Sequence, residues 1–355
     1  MDTARLEALF AAAQRLGATA IHLVPGRAPA LRVQRRFVPG DETSLEASDI
    51  DDLTRDLLFS DHRERLHRQG HVEVLYVARS GGRYRASVAE LGGRSSIVMR
   101  PVPHTPPTVA SLGLPEQVGA MARFRSGLVV VAGSFGAGKS TTLAAIVDAC
   151  NDDEGRHIVT LEDTIQFVHE NRAALLHQRE VGTHVATAAE GVRQAMVSGV
   201  DVIVVGEVRD EATLDAALSA AESGCLVFVG VEAGSITAAL AELSAMVSVE
   251  ERPRLRTRLA SVLRGATGQR LLHRQHKGGR VPVVEVLVAS QAVRQAVRSG
   301  RLQELPAIMN RCRGLGMQTT DVALRGLLAH HLVTQDEALL HACNPEEVVA
   351  RLSAR

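Results

Sequence analysis

One stretch of the sequence combines glycines, a lysine and a serine at a spacing suited to binding phosphate. Residues 133–140 read Gly-Ser-Phe-Gly-Ala-Gly-Lys-Ser, which fits Gly-x-x-x-x-Gly-Lys-[Ser/Thr] at every fixed position. In such a loop several backbone N–H groups converge on a polyphosphate, with the positive end of a helix dipole behind them. We therefore predict a nucleoside triphosphate site whose binding residues are Gly133, Ser134, Phe135, Gly136, Ala137, Gly138, Lys139, Ser140 and Thr141.

The elements that must flank this loop are also visible in the sequence. The apolar residues 127–132 predict a buried strand before it, and residues 141–148 predict a helix after it. The alternative is a glycine turn that fits the motif by chance, and it would require the flanking strand and helix patterns to be coincidences as well. We expect Lys139 to reach the β- and γ-phosphates as a mobile charge and to be catalytic, and the Ser140 hydroxyl to bind Mg²⁺. The expected cofactors are ATP and Mg²⁺.

A carboxylate is predicted to lie near this loop. Residues 202–210 read Val-Ile-Val-Val-Gly-Glu-Val-Arg-Asp, a buried strand with Glu207 after its carboxyl end, where open parallel sheets bind ligands. We expect Glu207 to be catalytic, either by holding Mg²⁺ through water or by orienting the attacking water. The alternative is a charge that simply ends a strand.

The pattern of elements predicts two domains and an α/β fold class. Residues 1–100 contain an amphipathic helix over residues 3–17, short apolar strands and a helical stretch over residues 49–68, as in a small α+β domain. Residues 101–115 are predicted to be a proline-rich linker, because its first part, residues 101–107, can continue neither a helix nor a central strand. Residues 116–355 alternate strands with helices, which predicts a parallel sheet covered by helices, followed by a mainly helical part with a hairpin near Gly278 and Gly279.

The amino-acid composition indicates which partners and which cellular compartment to expect. The 355 residues carry 40 Lys and Arg against 40 Asp and Glu, and Trp is absent, so we expect no nucleic-acid partner. The four cysteines form no C-x-x-C pair, which argues against a disulfide framework or a zinc site. No apolar run approaches the ~20 residues that span a bilayer. We expect a cytoplasmic protein that reaches a membrane through partners.

Several motifs together resemble the secretion ATPase superfamily and, within it, the type IV pilus retraction ATPases. They comprise residues 127–148, 156–170, 178–181, 206–210 and 220–224, and in the C-terminal part residues 292–300 and 316–321. The resemblance implies a PAS-like N-terminal domain, a RecA-like ATPase domain and a hexameric ring with ATP sites between neighbouring subunits. It also implies an inner-membrane pilus platform protein as partner, and a ring formed alone or mixed with a paralogous retraction ATPase.

The same resemblance assigns further residues to the site. Arg83, Arg85 and Arg100 fall where the family supplies N-domain arginines near the nucleotide, and a guanidinium there would balance charge on the γ-phosphate. The alternative for each is a solvated strand charge. Glu162 and Asp163 match the leading acidic pair of the family's Asp box, and Glu162 is taken as catalytic.

The sequence departs from the family at three places. Thr164 and Gln166 stand where the Asp box usually has Pro and Glu, and residues 197–201 read Val-Ser-Gly-Val-Asp where the family typically has Arg-x-Asp-Pro-Asp. Cys225 and Glu232 occupy the two histidine positions of the His box. An ionised Glu232 near the γ-phosphate would repel it unless a cation intervenes, so these departures indicate slowed or abolished turnover.

Two functions remain open from the sequence. One is a hexameric ATP-hydrolysing motor that drives pilus retraction and twitching motility or a related secretion machine. The other is a weakly or non-hydrolysing nucleotide-binding paralogue that regulates or joins an active retraction ATPase. A third function, that of a small-molecule kinase, is disfavoured because the sequence shows no acceptor site or lid. We favour the motor because positioning and electrostatics carry most of phosphoryl transfer, and the residues that supply them are present.

Overall fold

The chain divides into two compact units. The structure is a computed structural model that describes residues 2–33, 36–41, 43–102, 105–276 and 278–349. One unit comprises Met1–Thr105 and Thr164–Val168, and the other comprises Pro106–Asp163 and His169–Arg355. Pro103 and His104 of the predicted linker lie outside the described residues.

The first unit is an antiparallel sheet with helices packed against one of its faces. Among the described residues its strand order is β3-β2-β1-β6-β5-β4. The strands are β1 (Ala20–Leu23), β2 (Ala30–Val33), β3 (Arg36–Pro39), β4 (His71–Val77), β5 (Arg83–Leu91) and β6 (Arg94–Val102), and the helices are α1 (Thr3–Leu16), α2 (Ala47–Leu57) and α3 (Ser60–Gln69). Tyr84, Ala86 and Val88 of β5 join the apolar core, while the alternate residues stay partly exposed.

The helix predicted over residues 49–68 is wrong in one respect, because the structure breaks it into α2 and α3. Leu53 and Leu57 lie on the buried face of α2. Leu58 follows with extended backbone at φ −109° and ψ 122°, and it is buried too. A continuous helix would rotate Leu58 by about 100° away from Leu57, so the break lets both side chains enter the core. Burial of a second leucine overrides the local helical pattern.

Pro101 lies within β6, so this strand extends further into the proline-rich stretch than the sequence predicted. β6 continues to Val102 and pairs there with β5 through Tyr84↔Pro101 and Arg83↔Val102. On its other side β6 pairs with β1 only through Ile97, Val98 and Met99. Pro101 therefore lies beyond the part of β6 that is paired on both sides, and its missing N–H removes no bond to β1.

The second unit is built on a larger, mostly parallel sheet. Among the described residues its order is β13-β12-β7-β11-β10-β8-β9, and every neighbouring pair is parallel except β12 with β13. The strands are β7 (Gly127–Gly133), β8 (His157–Glu162), β9 (Leu175–Glu180), β10 (Val202–Val205), β11 (Leu226–Val231), β12 (Leu263–His273) and β13 (Arg280–Val288).

Helices cover this sheet, as the alternation of strands and helices predicted. They are α4 (Glu116–Ala120), α5 (Lys139–Cys150), α6 (Ala188–Val197), α7 (Glu211–Glu222), α8 (Ile236–Ala245), α9 (Arg252–Val262), α10 (Gln291–Ser299), α11 (Leu305–Arg311), α12 (Thr320–Ala329), α13 (Gln335–His341) and α14 (Pro345–Val349). The α/β class is confirmed, with an antiparallel first sheet and a mostly parallel second sheet. The hairpin predicted near Gly278 and Gly279 joins β12 to β13.

Strand order and register bring two loops to one edge of the second sheet. β11 lies between β7 and β10, with Val231 paired to Ala132 and Val205 paired to Val229. Because these strands are parallel, their carboxyl ends meet at the same edge. Neighbouring strands are about 4.8 Å apart, so the ends of β7 and β10 are separated by roughly 10 Å. That separation leaves room for a phosphate chain and a metal ion.

We expect His169 to make the second unit less stable in acid. Burial lowers the pKa of its imidazole from the usual 6.5 to about 4. Between these values the unfolded chain binds a proton that the folded chain does not, so stability falls as the pH drops through this interval. From about pH 7 to about pH 4.5, the wild type should lose on the order of 1–3 kcal/mol more unfolding free energy than His169→Gln in urea titrations. Equal losses would show that His169 is not desolvated.

Candidate nucleotide site

The predicted strand, loop and helix follow one another at residues 127–150. β7 is buried at every residue, and α5 begins at Lys139, immediately after the loop. Gly136 and Gly138 have φ of 75° and 90°, a backbone conformation that favours glycine. Within the loop Gly133 and Ala137 are buried, Gly138, Lys139 and Thr141 are half-buried, and Ser134, Phe135, Gly136 and Ser140 are exposed.

Lys139 lies across the loop that precedes it. Its Nζ donates to the Gly133 carbonyl at 2.7 Å and to the Ser134 carbonyl at 3.4 Å. The ammonium group is therefore held inside the curve of the loop, where the backbone would surround a phosphate. Ser140 follows at the start of α5, so its hydroxyl and the positive end of the helix dipole are on the same side.

A buried polar network fixes the loop from the neighbouring strand. Gln269 of β12 is paired with Gly133 in the sheet, and its Nε2 donates to the Ala137 carbonyl at 2.8 Å. Its Oε1 accepts a hydrogen bond from the Thr142 hydroxyl of α5, also at 2.8 Å. Gln269 and Thr142 are both 2% exposed. The sequence analysis missed these residues, for which the visible signal was a glutamine directly after the small residues 265–268.

Glu207 lies where the sequence placed it, at the carboxyl edge beyond β10. Its neighbours are held in the sheet, because the Gly206 N–H donates to the Leu161 carbonyl at 2.8 Å and the Val208 N–H donates to the Gly230 carbonyl at 2.9 Å. A Cβ on Gly230 would lie 2.0 Å from the Gly206 carbonyl oxygen, so glycine is required there. This close packing sets the position of Glu207, whose side chain is 17% exposed.

Arg209 joins two acidic groups at this edge. Its Nη2 lies 2.5 Å from Glu207 Oε2 and 2.6 Å from Asp163 Oδ2. Burial lowers the pKa of Arg209, but hydrogen bonds and charges of Asp163 and Glu207 raise it, and the net pKa is raised. The guanidinium is thus charged at any physiological pH. The sequence analysis quoted Arg209 within a motif but gave it no role.

Glu162 lies at the end of β8 and is held by its neighbours. Its Oε1 accepts hydrogen bonds from the Thr160 hydroxyl at 2.8 Å and from Gln178 Nε2 at 3.1 Å. These contacts tie the carboxylate to β8 and β9. Glu162 therefore shares the carboxyl edge with Glu207, one strand further from the loop that carries Lys139.

The two residues at the His-box positions lie at opposite ends of β11. Glu232 follows the last residue of the strand, is exposed, and lies at the edge where β7 runs into its loop. Cys225 precedes the strand, and its Sγ donates to the Val200 carbonyl at 3.2 Å. Two of the sequence departures, Cys225 and residues 197–201, therefore meet at the amino edge of the sheet. Of the two substitutions, only Glu232 lies at the edge that carries the glycine-rich loop.

The three predicted arginines all lie in the first unit. Arg85 is directly opposite Arg100 across β5 and β6, and Arg83 is two residues from Arg85 on the same face. Arg83 and Arg85 are half-buried, and Arg100 is exposed. The Nε of Arg85 donates to Glu73 Oε2 at 2.7 Å. Like charges directly opposite one another are unfavourable, and Glu73 offsets this for one of them.

The donors at the carboxyl edge suit a hard cation that is bound together with phosphate. The described residues contain no group of three or more His, Cys, Asp or Glu side chains that could hold a metal ion by themselves. Mg²⁺ in nucleotide sites typically takes only one or two protein oxygens and completes its shell with phosphates and water. The Ser140 hydroxyl and the Glu207 carboxylate are oxygen donors of this kind.

These features are those of an α/β protein with a P-loop nucleotide site. Residues 93–328 match the family described as Type II/IV secretion system protein. The chain is 33% identical over 342 residues to the Pseudomonas aeruginosa type IV pilus retraction ATPase PilT, covering 95% of this chain and 98% of PilT. It is 30% identical over 321 residues to a twitching motility protein of Neisseria gonorrhoeae, covering 90% of this chain and 86% of that protein.

A solved structure of PilT matches the fold of nearly the whole chain. The crystal structure of the pilus retraction motor PilT with bound ADP aligns with a TM-score of 0.86 and 31% identity, covering 96% of this chain and 97% of PilT. The chain therefore belongs to the Type II/IV secretion system protein family, and the resemblance drawn from its motifs is confirmed. In the part of the chain that the structure describes, no helix is both long and apolar enough to cross a bilayer.

Gln269→Leu should weaken ADP binding by about tenfold. The change leaves the Thr142 hydroxyl and the Ala137 carbonyl without their buried partner, which costs about 1–3 kcal/mol. The loop can avoid this cost by distorting, and a distorted loop no longer aims its N–H groups at the phosphates. Calorimetric titration with ADP measures the effect. Gln318→Leu is the matched control, because Gln318 Nε2 makes a similar bond to the Val284 carbonyl at 2.7 Å away from the loop. Equal losses of affinity in both variants would contradict the role given to Gln269.

Proposed function

We propose that this chain is an ATP-hydrolysing motor subunit of the type that drives type IV pilus retraction or a related secretion machine. The observation that carries the proposal is the placement of Glu207 at the carboxyl edge of the sheet, two strands from the loop that carries Lys139. The likeness to PilT over the length of the chain supports it. We take residues 1–100 as a PAS-like domain, 101–115 as a linker and 116–355 as a RecA-like ATPase domain.

In this proposal the residues of the loop bind and orient the triphosphate. Backbone N–H groups of residues 133–141 donate to phosphate oxygens, and Lys139 moves from the Gly133 carbonyl to the β- and γ-phosphates. Ser140 and Glu207 would hold Mg²⁺, which would neutralise charge on the phosphate oxygens. Glu207 also orients the attacking water, and Glu162 acts from the next strand along the same edge.

We further propose that the site is completed in a homo-hexamer. Arg83, Arg85 and Arg100 form a positive cluster on one face of the first sheet, with Glu73 as the acidic partner of Arg85. A phosphate from a neighbouring subunit's nucleotide would relieve the repulsion between Arg85 and Arg100 and accept bonds from both. The subunit would act in the cytoplasm on an inner-membrane pilus platform protein, with no nucleic-acid partner.

One observation favours the second candidate, a weakly hydrolysing paralogue that joins or regulates an active retraction ATPase. Glu232 is an exposed acidic residue after the carboxyl end of β11, which lies between β7 and β10, the strands that lead to Lys139 and Glu207. A negative charge there opposes the approach of the γ-phosphate. The motor proposal requires Mg²⁺ and Lys139 to outweigh this repulsion.

Lys139→Ala and Glu207→Gln should separate binding from hydrolysis. Lys139→Ala removes the charge at the phosphates, so we expect loss of measurable ATP binding in calorimetry. Glu207→Gln keeps a hydrogen-bonding side chain of the same size, and at saturating Mg²⁺ it should bind ADP within about threefold of the wild type. Its phosphate release should fall at least ~100-fold, because positioned acid–base groups contribute factors of 10²–10⁴. Unchanged turnover in Lys139→Ala would sink the site assignment.

Glu232→His should raise the rate of phosphate release, on the order of tenfold, because it removes a like charge from the phosphate edge. Cys225→His should leave the rate unchanged, because Cys225 lies at the opposite end of β11. The same coupled phosphate assay measures both variants. A gain from Cys225→His alone would mean that the amino edge of the sheet controls hydrolysis.

A further inference from the structure

A single guanidinium nitrogen bridges two carboxylates at the proposed site. Arg209 Nη2 contacts both Glu207 Oε2 and Asp163 Oδ2, at 2.5 and 2.6 Å. The two carboxylates differ in environment, since the Glu207 side chain is 17% exposed and that of Asp163 is 58% exposed. Glu207 therefore depends more on a counter-ion, because a desolvated carboxylate is costly without one.

The backbone on both sides of Arg209 is fixed, but its side chain is not enclosed. The Val208 N–H is bonded to the Gly230 carbonyl. Asp210 caps α7 by accepting from the Thr213 N–H at 2.8 Å and from the Thr213 hydroxyl at 3.0 Å. The Arg209 side chain itself is 60% exposed. It can exchange one carboxylate partner for another without any change in the loop.

Arg209 and Mg²⁺ would compete for the same carboxylate. A divalent ion at Glu207 and a guanidinium nitrogen 2.5 Å from Glu207 Oε2 would repel one another at short range. Asp163 offers the guanidinium an alternative partner that it already contacts. Because Mg²⁺ would replace the guanidinium at Glu207 while Arg209 keeps its pair with Asp163, neither carboxylate would lose its counter-ion in the exchange.

We propose that Arg209 is a positioning residue that holds Glu207 until Mg²⁺ and nucleotide arrive, and then stays paired with Asp163 alone. This inference rests on the assignment of Glu207 in the proposed function. Arg209 lowers the affinity of the site for Mg²⁺ and keeps Glu207 oriented and charge-neutral between turnovers. Asp163 acts in the opposite direction, because it draws Arg209 away from Glu207.

The test is the Mg²⁺ dependence of ADP binding, measured with a fluorescent ADP analogue at increasing Mg²⁺ concentration. Arg209→Gln removes the competing cation, so the half-saturating Mg²⁺ concentration should fall about fivefold, as expected for an ion pair whose guanidinium is exposed. Asp163→Asn leaves Arg209 on Glu207, so the same concentration should rise by a similar factor. Arg209→Lys keeps the charge and should remain near the wild type.

If Arg209 moves between the two carboxylates, Arg209→Gln and Asp163→Asn should shift the half-saturating Mg²⁺ concentration in opposite directions. If the pairing is only structural, both variants should weaken Mg²⁺-dependent binding. Shifts in the same direction, or none in either variant, overturn the inference. If Arg209→Gln does not fold, a lowered Mg²⁺ requirement in Asp163→Asn overturns it equally. Glu207→Gln separates the inference from its premise. If that variant does not alter the Mg²⁺ requirement, the assignment of Glu207 fails, whereas a large increase keeps the assignment whatever Arg209 does.

Discussion

The turn from β7 into α5 is the constraint on which the second unit depends. A Cβ at Gly133 would lie 2.9 Å from Ala137 Cβ and 3.1 Å from the Gln269 carbonyl oxygen, and Gly138 needs a positive φ. The turn is therefore closed on one side by β12, whose Gln269 side chain also bonds to the loop and to α5. A phosphate site made of backbone needs this rigidity, because the donors must already be aimed when the ligand arrives.

The electrostatics of the carboxyl edge follow from the order of the strands. Parallel pairing places Lys139, Glu232, Glu207 and Glu162 in that order along the carboxyl edge, at the ends of β7, β11, β10 and β8. Three carboxylates thus lie along the same edge as the single ammonium group of Lys139, and the Arg209 guanidinium offsets part of this excess negative charge. Such an edge favours binding a nucleotide together with a divalent cation over binding the triphosphate alone. In the proposed function, charge as well as shape would therefore make turnover depend on the metal.

Local patterns predicted the parts of the site that are local in sequence. The glycine-rich loop, its flanking strand and helix, and Glu207 after an apolar run each need fewer than ten residues to recognise. Gln269 could not be placed in this way, since its partners Ala137 and Thr142 are about 130 residues away in the chain and meet it only because β12 pairs with β7. The break at Leu58 likewise depends on core packing. The pairing of Arg209 with Asp163 depends on β10 lying beside β8.

The most direct test of the central claim is steady-state phosphate release from ATP by the wild-type protein, with the assembly state measured by light scattering in the same samples. The proposed function predicts Mg²⁺-dependent turnover by a hexamer, with Lys139, Ser140 and Glu207 as the proposed binding, metal and water-orienting groups. ATP binding without turnover at any Mg²⁺ concentration would contradict it, and would make this chain a nucleotide-binding partner of another motor.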